Sequence, residues 1–199
     1  MDDREARGLA EIFSAEAALR EAESASEDAQ RRVAYAEAEQ HAERAIALLP
    51  ENAHAHFLRF AARGRVAQLG GLAVAALQLR SLNAELDEVL RLDPNHADAL
   101  ASRGGMLMKL PWALGGNTDR GIEMLERAVA LEPAAVGKRL ELAEAYHIVG
   151  REDDAEQLAL EAENVARQNE DPEKEQTAAR FRVALKSACA GCNIDVIGR

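Results

Sequence analysis

Apolar residues recur at helical spacing along almost the whole chain, and most of the positions between them are charged or polar. Ala, Leu, Glu and Arg dominate these stretches, and all four residue types have high helix propensity. No window alternates polar residues with β-branched apolar ones over the roughly four to eight positions that a half-buried strand requires. Aromatic residues make up only 4% of the chain, so the pattern predicts an all-α protein of closely packed helices.

Breaks in the helical pattern predict about nine helices. Asn117 and Asp171 have side chains suited to N-capping, and Pro172 takes the first helical position after Asp171, where its missing N–H does no harm. The segment AESASEDAQ is a weak helix breaker, so the boundary inside the first helix pair is the least defined. The predicted helices are roughly residues 4–24, 26–48, 53–68, 72–92, 95–110, 118–131, 135–149, 152–168 and 172–189.

Three segments of the chain repeat one another, RAIALLP, EVLRLDP and RAVALEP, and they end at Pro50, Pro94 and Pro133. Each is the tail of a predicted helix, closed by a proline that cannot continue it. The positions twelve and five residues before each proline correspond to one another in the three units. In two of the three units both of these residues are small. These six residues are Ala38 and Ala45, Leu82 and Val89, and Gly121 and Ala128.

The clearest unit carries Ala143, Tyr146, Gly150, Ala155 and Ala162, at successive spacings of 3, 4, 5 and 7 residues. This series resembles the tetratricopeptide repeat (TPR) family, whose helix-turn-helix unit of about 34 residues has small, aromatic, glycine and alanine positions at such offsets. Within that family, the pattern is most similar to TPR proteins associated with bacterial transporters and to regulators of microtubule dynamics.

The resemblance covers about residues 53–165. It implies a TPR-like α-solenoid, in which antiparallel helix pairs stack and a C-terminal helix caps the open end. Residues 1–199 would then form a single domain, with Phe181, Val183 and Leu185 of the capping helix pointing inward. The repeats are about 4–50, 51–94, 95–133 and 134–169, followed by the capping helix 172–189 and the tail 190–199.

The glycine pair in LPWALGG raises the question of a phosphate-binding loop. Pro94 and Pro133 are 39 residues apart, which is longer than the usual TPR unit of about 34, and the surplus falls inside LPWALGG. The segment also lacks the G-K-[ST] of a phosphate loop, and no predicted strand precedes it. We therefore interpret it as an inter-helix loop with Trp112 packed against the array as its anchor; the alternative is an exposed Trp112 that serves as a binding hot spot.

The formal net charge of -11 disfavours a general nucleic-acid binder, which needs a basic surface. The charge is unevenly distributed along the chain. Residues 52–84 contain no Asp or Glu and carry a net charge of +4 from four arginines. We call residues 52–84 the acid-free segment.

The acid-free segment contributes to a predicted partner-binding groove, because the resemblance implies that the first helix of each pair lines the concave side. If the repeat positions of the helix after Pro50 are counted from that proline without an inserted residue, Arg59 and Arg63 fall at buried positions. A register shifted by one residue, with one residue added to the loop after Pro50, is preferred. A buried unpaired arginine costs several kcal/mol, whereas an added loop residue costs a few tenths. The shift places Phe57, Phe60 and Ala61 in the core and turns Leu58, Arg59, Ala62 and Arg65 toward the groove.

The remaining predicted groove residues lie on the first helices of the next pairs. This groove lacks the lysine and asparagine pairs with which chaperone-binding TPR domains hold a terminal carboxylate, so the resemblance disfavours that use. The alternative for the arginines is that Arg59 and Arg65 pair with nearby acids such as Asp98. The remaining residues are Asp98, Ala101, Ser102, Gly105, Met108, Leu140, Glu141, Glu144 and His147.

Cys189 and Cys192, in the sequence CAGC, are the only thiols. The sequence lacks the following histidine of a haem-attachment motif, the two further ligands of a zinc site and the βαβ context of a thioredoxin-type motif. The pair could form a disulfide in an oxidising compartment, or half of a site completed by a partner. His54 and His56 point to different sides of a helix, and no residue set has catalytic spacing, so no metal, cofactor or catalytic residue is predicted.

These observations predict a non-catalytic scaffold or adaptor that binds a peptide or helix of a partner protein, with acidic groups meeting Arg59 and Arg65. The alternative is a periplasmic, transporter-associated binding module for an apolar or anionic small ligand. No membrane span and no secretory leader is predicted. The expectation is a cytoplasmic protein, or a periplasmic one if a leader has been removed, and self-association is left open.

Overall fold

A computed structural model of the protein describes residues 2–187. These residues form nine α-helices, a short 3-10 helix at Trp112–Leu114 and no strand, which confirms the predicted all-α class. The helices are α1 (Asp3–Ser24), α2 (Asp28–Leu48), α3 (Ala53–Leu69), α4 (Leu72–Leu92), α5 (Ala97–Lys109), α6 (Thr118–Leu131), α7 (Val136–Ile148), α8 (Glu152–Gln168) and α9 (Pro172–Ser187).

Side-chain caps fix where several helices begin. The Oδ1 atoms of Asn52, Asn117 and Asp171 accept hydrogen bonds from backbone N–H groups three residues later, at 2.9, 3.0 and 3.0 Å. Each bond satisfies one of the N–H groups that the first helical turn leaves without a partner. The predicted caps at Asn117 and Asp171 are thus confirmed.

The helices group into two compact units, Met1–Ala99 and Leu100–Arg199, and the division falls inside α5. The sequence prediction of one domain over residues 1–199 stays a prediction.

In the first unit, three helices pack through small side chains. Ile12 and Ala15 of α1 contact Ala42 and Ala45 of α2 in a cluster that also contains Ala55 and Leu58 of α3. Further along, Ala18 lies with Ala38 and Ala62, and Ala22 with Ala34 and Tyr35. Residue numbers therefore rise along α1 and α3 while they fall along α2, so the chain reverses direction at each loop.

In the second unit, α5 and α6 approach each other at a pair of glycines. A Cβ on Gly104 would lie 2.8 Å from the Gly121 carbonyl oxygen, and a Cβ on Gly121 would lie 3.0 Å from the Gly104 carbonyl oxygen. Such distances exclude any side chain without a shift of the backbone. Gly121 is one of the small residues at the equivalent positions found in the sequence, and its contact with Gly104 is the physical reason for it.

Helix α9 packs on α8 with a different face from the one predicted. Phe181 and Leu185 are buried, but Val183 is 66% exposed, so the prediction for Val183 is wrong. Residues 181 and 185 are four apart and share one helix face, whereas residue 183 is turned about 200° from residue 181.

Candidate functional site

The structure turns α3 differently from the predicted groove helix. Leu58 and Ala62 are buried in the clusters shared with α1 and α2, with exposed fractions of 3% and 0%. Phe60 is buried, but Phe57 and Ala61 are only half-buried. The preferred one-residue shift is therefore wrong for Leu58 and Ala62, which offer no surface to a partner.

The shift fails because its physical premise does not hold: the arginines of α3 are not unpaired. Arg63 bonds to the Glu85 carboxylate of α4, and its Nε lies 3.5 Å from Glu39 Oε1 of α2. Arg59 Nε lies 3.7 Å from the other oxygen of Glu85. Burial raises the pKa of Glu85, and the charges of Arg63 and Arg59 oppose that rise. This ion cluster joins α2, α3 and α4, so Arg59 and Arg63 are structural rather than free to bind.

Arg65 lies on the surface of α3. Its guanidinium is 3.9 Å from Glu23 of α1 and 3.4 Å from Gln68. The alternative that Arg59 and Arg65 pair with acids therefore fits the geometry, with Glu85 and Glu23 as the acids that the structure places beside them.

The other predicted groove residues differ in their access to solvent. Leu140 and His147 are almost completely buried, and Glu144 and Ala101 are buried as well, so these four do not form an open surface. His147 is held by a 2.7 Å contact between its Nδ1 and Glu152 Oε2. The half-buried residues are Asp98, Ser102, Gly105, Met108 and Glu141.

Trp112 is 89% exposed, so the predicted loop anchor is wrong. The loop is closed by its own backbone instead: the N–H of Gly116 donates to the Pro111 carbonyl at 3.1 Å, and that of Asn117 to the Leu107 carbonyl at 3.0 Å. Gly115 adopts a left-handed φ of +90°, which favours glycine. A loop closed in this way does not need a packed indole, and Trp112 is left at the surface.

A chain of ring contacts in the first unit was not found from the sequence. His96 Nδ1 accepts the N–H of Ala99 at the start of α5, so its proton is on Nε2, which is 3.3 Å from His54 Nδ1. His54 Nε2 then donates to Glu16 of α1 at 2.9 Å. The ring of Phe57 lies tilted against that of His96, with the ring centroids 4.9 Å apart. His54 and His96 are 42 residues apart, and no local pattern pairs them.

The first turns of α4 expose apolar residues. Leu72 and Leu77 are 91% and 84% exposed, and Ala73, Ala76 and Arg80 are exposed as well. We call these five residues the α4 outer face. The sequence signal for it was the apolar run LAVAALQL inside the acid-free segment, which was predicted only as part of the helix 72–92.

The structure also has an open cavity of about 570 Å³ where α1 ends and α2 begins. Its charged lining residues are Glu21 and Glu37, and Val33 and Ala34 supply apolar surface. A carboxylate lining does not suit an anionic ligand.

Within residues 2–187, no cluster of three or more His, Cys, Asp or Glu side chains has the geometry to hold a metal ion. No helix described there combines the length and the apolarity that crossing a bilayer requires. Cys189 and Cys192, the candidate disulfide, lie outside the described residues.

No family model matches the chain, and no curated protein matches it. Among solved structures, the chain is similar to a mutant O-GlcNAc transferase from Thermobaculum terrenum, with a TM-score of 0.55 and 22% sequence identity. The similarity covers 84% of this chain and 27% of that chain, and it involves only the repeat region of the transferase. At this identity the likeness shows the fold alone. The chain has an all-α fold similar to that of TPR-repeat proteins.

Proposed function

We propose that the chain is a non-catalytic scaffold that binds a helix or peptide of a partner protein. The observation that carries the proposal is the TPR-like pairing of helices with large apolar side chains left in solvent, among them Leu72, Leu77 and Trp112. Repeat folds of this kind present extended surfaces for binding, and adjacent exposed apolar residues mark interaction sites.

In the second unit, taken by itself, the half-buried residues Ser102, Gly105, Met108 and Glu141 are proposed as contacts for a partner. Arg59 is left out of the binding surface, because its charge is held beside the buried Glu85. Trp112 is proposed as a separate contact of the second unit, because indole side chains are enriched among the residues that carry binding energy.

Native mass spectrometry of the protein purified from its own host tests this function. A polypeptide that stays bound at a fixed stoichiometry is the expected result. A retained small molecule without any polypeptide would support the small-ligand alternative instead, and would direct attention to the cavity lined by Glu21 and Glu37. If the wild-type chain retains no polypeptide and cross-links to none in its host cells, the scaffold function is wrong.

A further inference from the structure

The α4 outer face is an unpartnered apolar surface at the beginning of a long helix. The buried residues of α4 are Leu82, Glu85, Leu86 and Val89, all in its later turns. In the first turns Val74 lies against Gly70, the residue that follows α3, while Leu72 and Leu77 extend into solvent. Large apolar side chains that are exposed in adjacent turns of a helix are uncommon on a surface that binds nothing.

The positions of these residues give the surface a defined shape. At 3.6 residues per turn, Leu72 and Leu77 are separated by about 140° around the helix axis, and Ala76 and Ala73 lie between them at about 40° and 100°. The two leucines thus form the rims of a shallow channel with alanines at its floor. Small residues between large ones allow a second helix to place a ridge of side chains in the channel.

Arg80 closes this channel at one end. It lies at about 80° on the same scale, between the two rims and one turn beyond Leu77. Arg80 makes no ion pair with the residues that the structure describes, and the whole acid-free segment around it carries no carboxylate. Arg32 of α2 adds positive charge near the start of α4, since it donates to the carbonyl of Leu69 at 2.6 Å.

We propose that the α4 outer face docks an amphipathic helix of a partner protein, with apolar side chains in the alanine channel and an Asp or Glu against Arg80. This inference rests on the proposed scaffold function and names its binding surface and the chemistry of its partner. A carboxylate fits because the surface has an arginine with no described ion pair and no acid of its own.

The charge pattern also argues against two other occupants. A second copy docked through the same face would bring two surfaces whose one charged residue is Arg80 against each other, with no carboxylate on either to pair with it. An anionic lipid surface would attract Arg80 but repel a chain whose formal net charge is -11.

Two synthetic peptides test the proposal. Both have about 18 residues, enough to become helical when bound, and the same leucine stripe; one has glutamates beside the stripe and the other has lysines. Fluorescence anisotropy of each labelled peptide gives its Kd for the full chain. We expect the glutamate peptide to bind, and Leu72→Gln with Leu77→Gln to weaken that binding about tenfold or more. Arg80→Glu should weaken the glutamate peptide and strengthen the lysine peptide.

Matched controls are Phe13→Gln of α1 and Val183→Gln of α9, because each of these apolar side chains is 66% exposed and belongs to a helix other than α4. Both controls should bind the glutamate peptide like the wild type. Circular dichroism verifies that all variants keep their helicity. A glutamate peptide that binds the Leu72→Gln, Leu77→Gln variant as tightly as the wild type contradicts the proposal, as does a wild-type chain that binds the lysine peptide equally well.

Two further measurements test the other occupants. Sedimentation that shows a dimer of the wild type, lost in the Leu72→Gln, Leu77→Gln variant, would assign the face to self-association. Flotation with phosphatidylserine vesicles that depends on the same leucines would assign it to a membrane. Either result overturns the proposal.

The outcome for the docking face can be separated from that for the scaffold function. If a polypeptide from the host binds the wild type and the Leu72→Gln, Leu77→Gln variant equally, the proposal that the α4 outer face is the docking site is wrong and the scaffold function stands. If the host polypeptide is lost from the variant but kept by both controls, the proposal is supported in its natural setting.

Discussion

At the residue scale, Tyr146 connects two helices and a loop of the second unit. Its hydroxyl donates to Glu126 Oε1 of α6 at 2.7 Å, and the guanidinium of Arg151 lies over its ring at 3.8 Å from the centroid. Burial and the hydrogen bond to Glu126 raise the pKa of Tyr146 to about 12. The hydrogen bond thereby holds Glu126 next to Tyr146, near the end of α7.

The variant Tyr146→Phe removes this hydrogen bond and keeps the ring. We expect the free energy of unfolding to fall by about 1 kcal/mol at pH 8. Because the folded-state pKa is raised, the contribution of the hydroxyl is fully present below the ordinary tyrosine pKa and is lost as pH rises through about 12. Urea unfolding of both proteins from pH 8 to 11 measures the difference, and a difference that grows with pH would contradict the assignment.

Glu11 of α1 shows the opposite pH behaviour. Burial by itself would raise the pKa of Glu11, but contacts with His41 at 2.6 Å and Arg44 at 3.0 Å outweigh burial and lower it. A carboxyl group with a lowered folded-state pKa contributes stability above its unfolded pKa. That contribution is lost as pH falls through the folded-state value.

Replacing Glu11 with Gln should therefore lower the free energy of unfolding by about 1 kcal/mol at pH 7. The difference from the wild type should shrink as the pH is lowered below about 4.3. Thermal unfolding followed by circular dichroism between pH 7 and pH 3 gives this profile. Exposed Glu43 on α2 supplies the control, since Glu43→Gln should change little at any pH.

At the element scale, buried alanines set the spacing of α1, α2 and α3. Ala42 of α2 is completely buried between α1 and α3, whereas Ala47 of the same helix is exposed. Ala42→Leu should destabilise the protein by about 1–3 kcal/mol, because the added atoms have no space. Ala47→Leu makes the same chemical change at the surface and should stay within about 0.5 kcal/mol of the wild type in denaturant unfolding.

Two adjacent glycines of α5 provide a second matched pair. Gly104 lies against Gly121, but a Cβ on Gly105 would meet no atom within 4 Å. Gly105→Ala should raise the free energy of unfolding by about 0.5–1 kcal/mol through helix propensity. Gly104→Ala should lower it, since α6 would have to move. Equal effects of the two substitutions would show that α5 and α6 are not in close contact there.

The helix bounds could be predicted from the sequence because they depend on local signals. Asn117 and Asp171 act on N–H groups three residues away, and α4 matches its predicted range at both ends. Which face of a helix is buried was harder to predict. Val183 was assigned to the core because it is apolar, but Phe181 and Leu185 are buried in the structure and Val183 is exposed.

At the scale of the whole molecule, the ion cluster around Glu85 links three consecutive helices through residues that are 22 or more positions apart. Glu85→Ala would leave the half-buried Arg59 without a carboxylate and Arg63 with Glu39 alone, and we expect a loss of about 3 kcal/mol in the free energy of unfolding. Glu88→Ala on the same helix is the control, because Glu88 is more exposed and bonds to Arg91 one turn away. Hydrogen exchange should show faster exchange in α2, α3 and α4 for Glu85→Ala alone.

The same cluster explains why the candidate site was less predictable than the fold. The orientation of α3 depends on whether Arg59 and Arg63 have a partner, and Glu85 follows Arg63 by 22 residues. Sequence periodicity contains no information on a contact of that kind. The exposure of Leu72 and Leu77 was likewise not predicted. It arises because the buried residues of α4 all lie in its later turns, and its first turns extend beyond them.

The alanine contacts among α1, α2 and α3 have a consequence for recognition. Where backbones are separated by little more than methyl groups, a helix cannot rotate or slide without collision, so the support beneath α4 is rigid before any partner arrives. A docking helix would then lose conformational entropy on its own side of the interface only. Affinity at such a surface would be governed by how readily the incoming segment becomes helical, and residues of that segment outside the contact could adjust it.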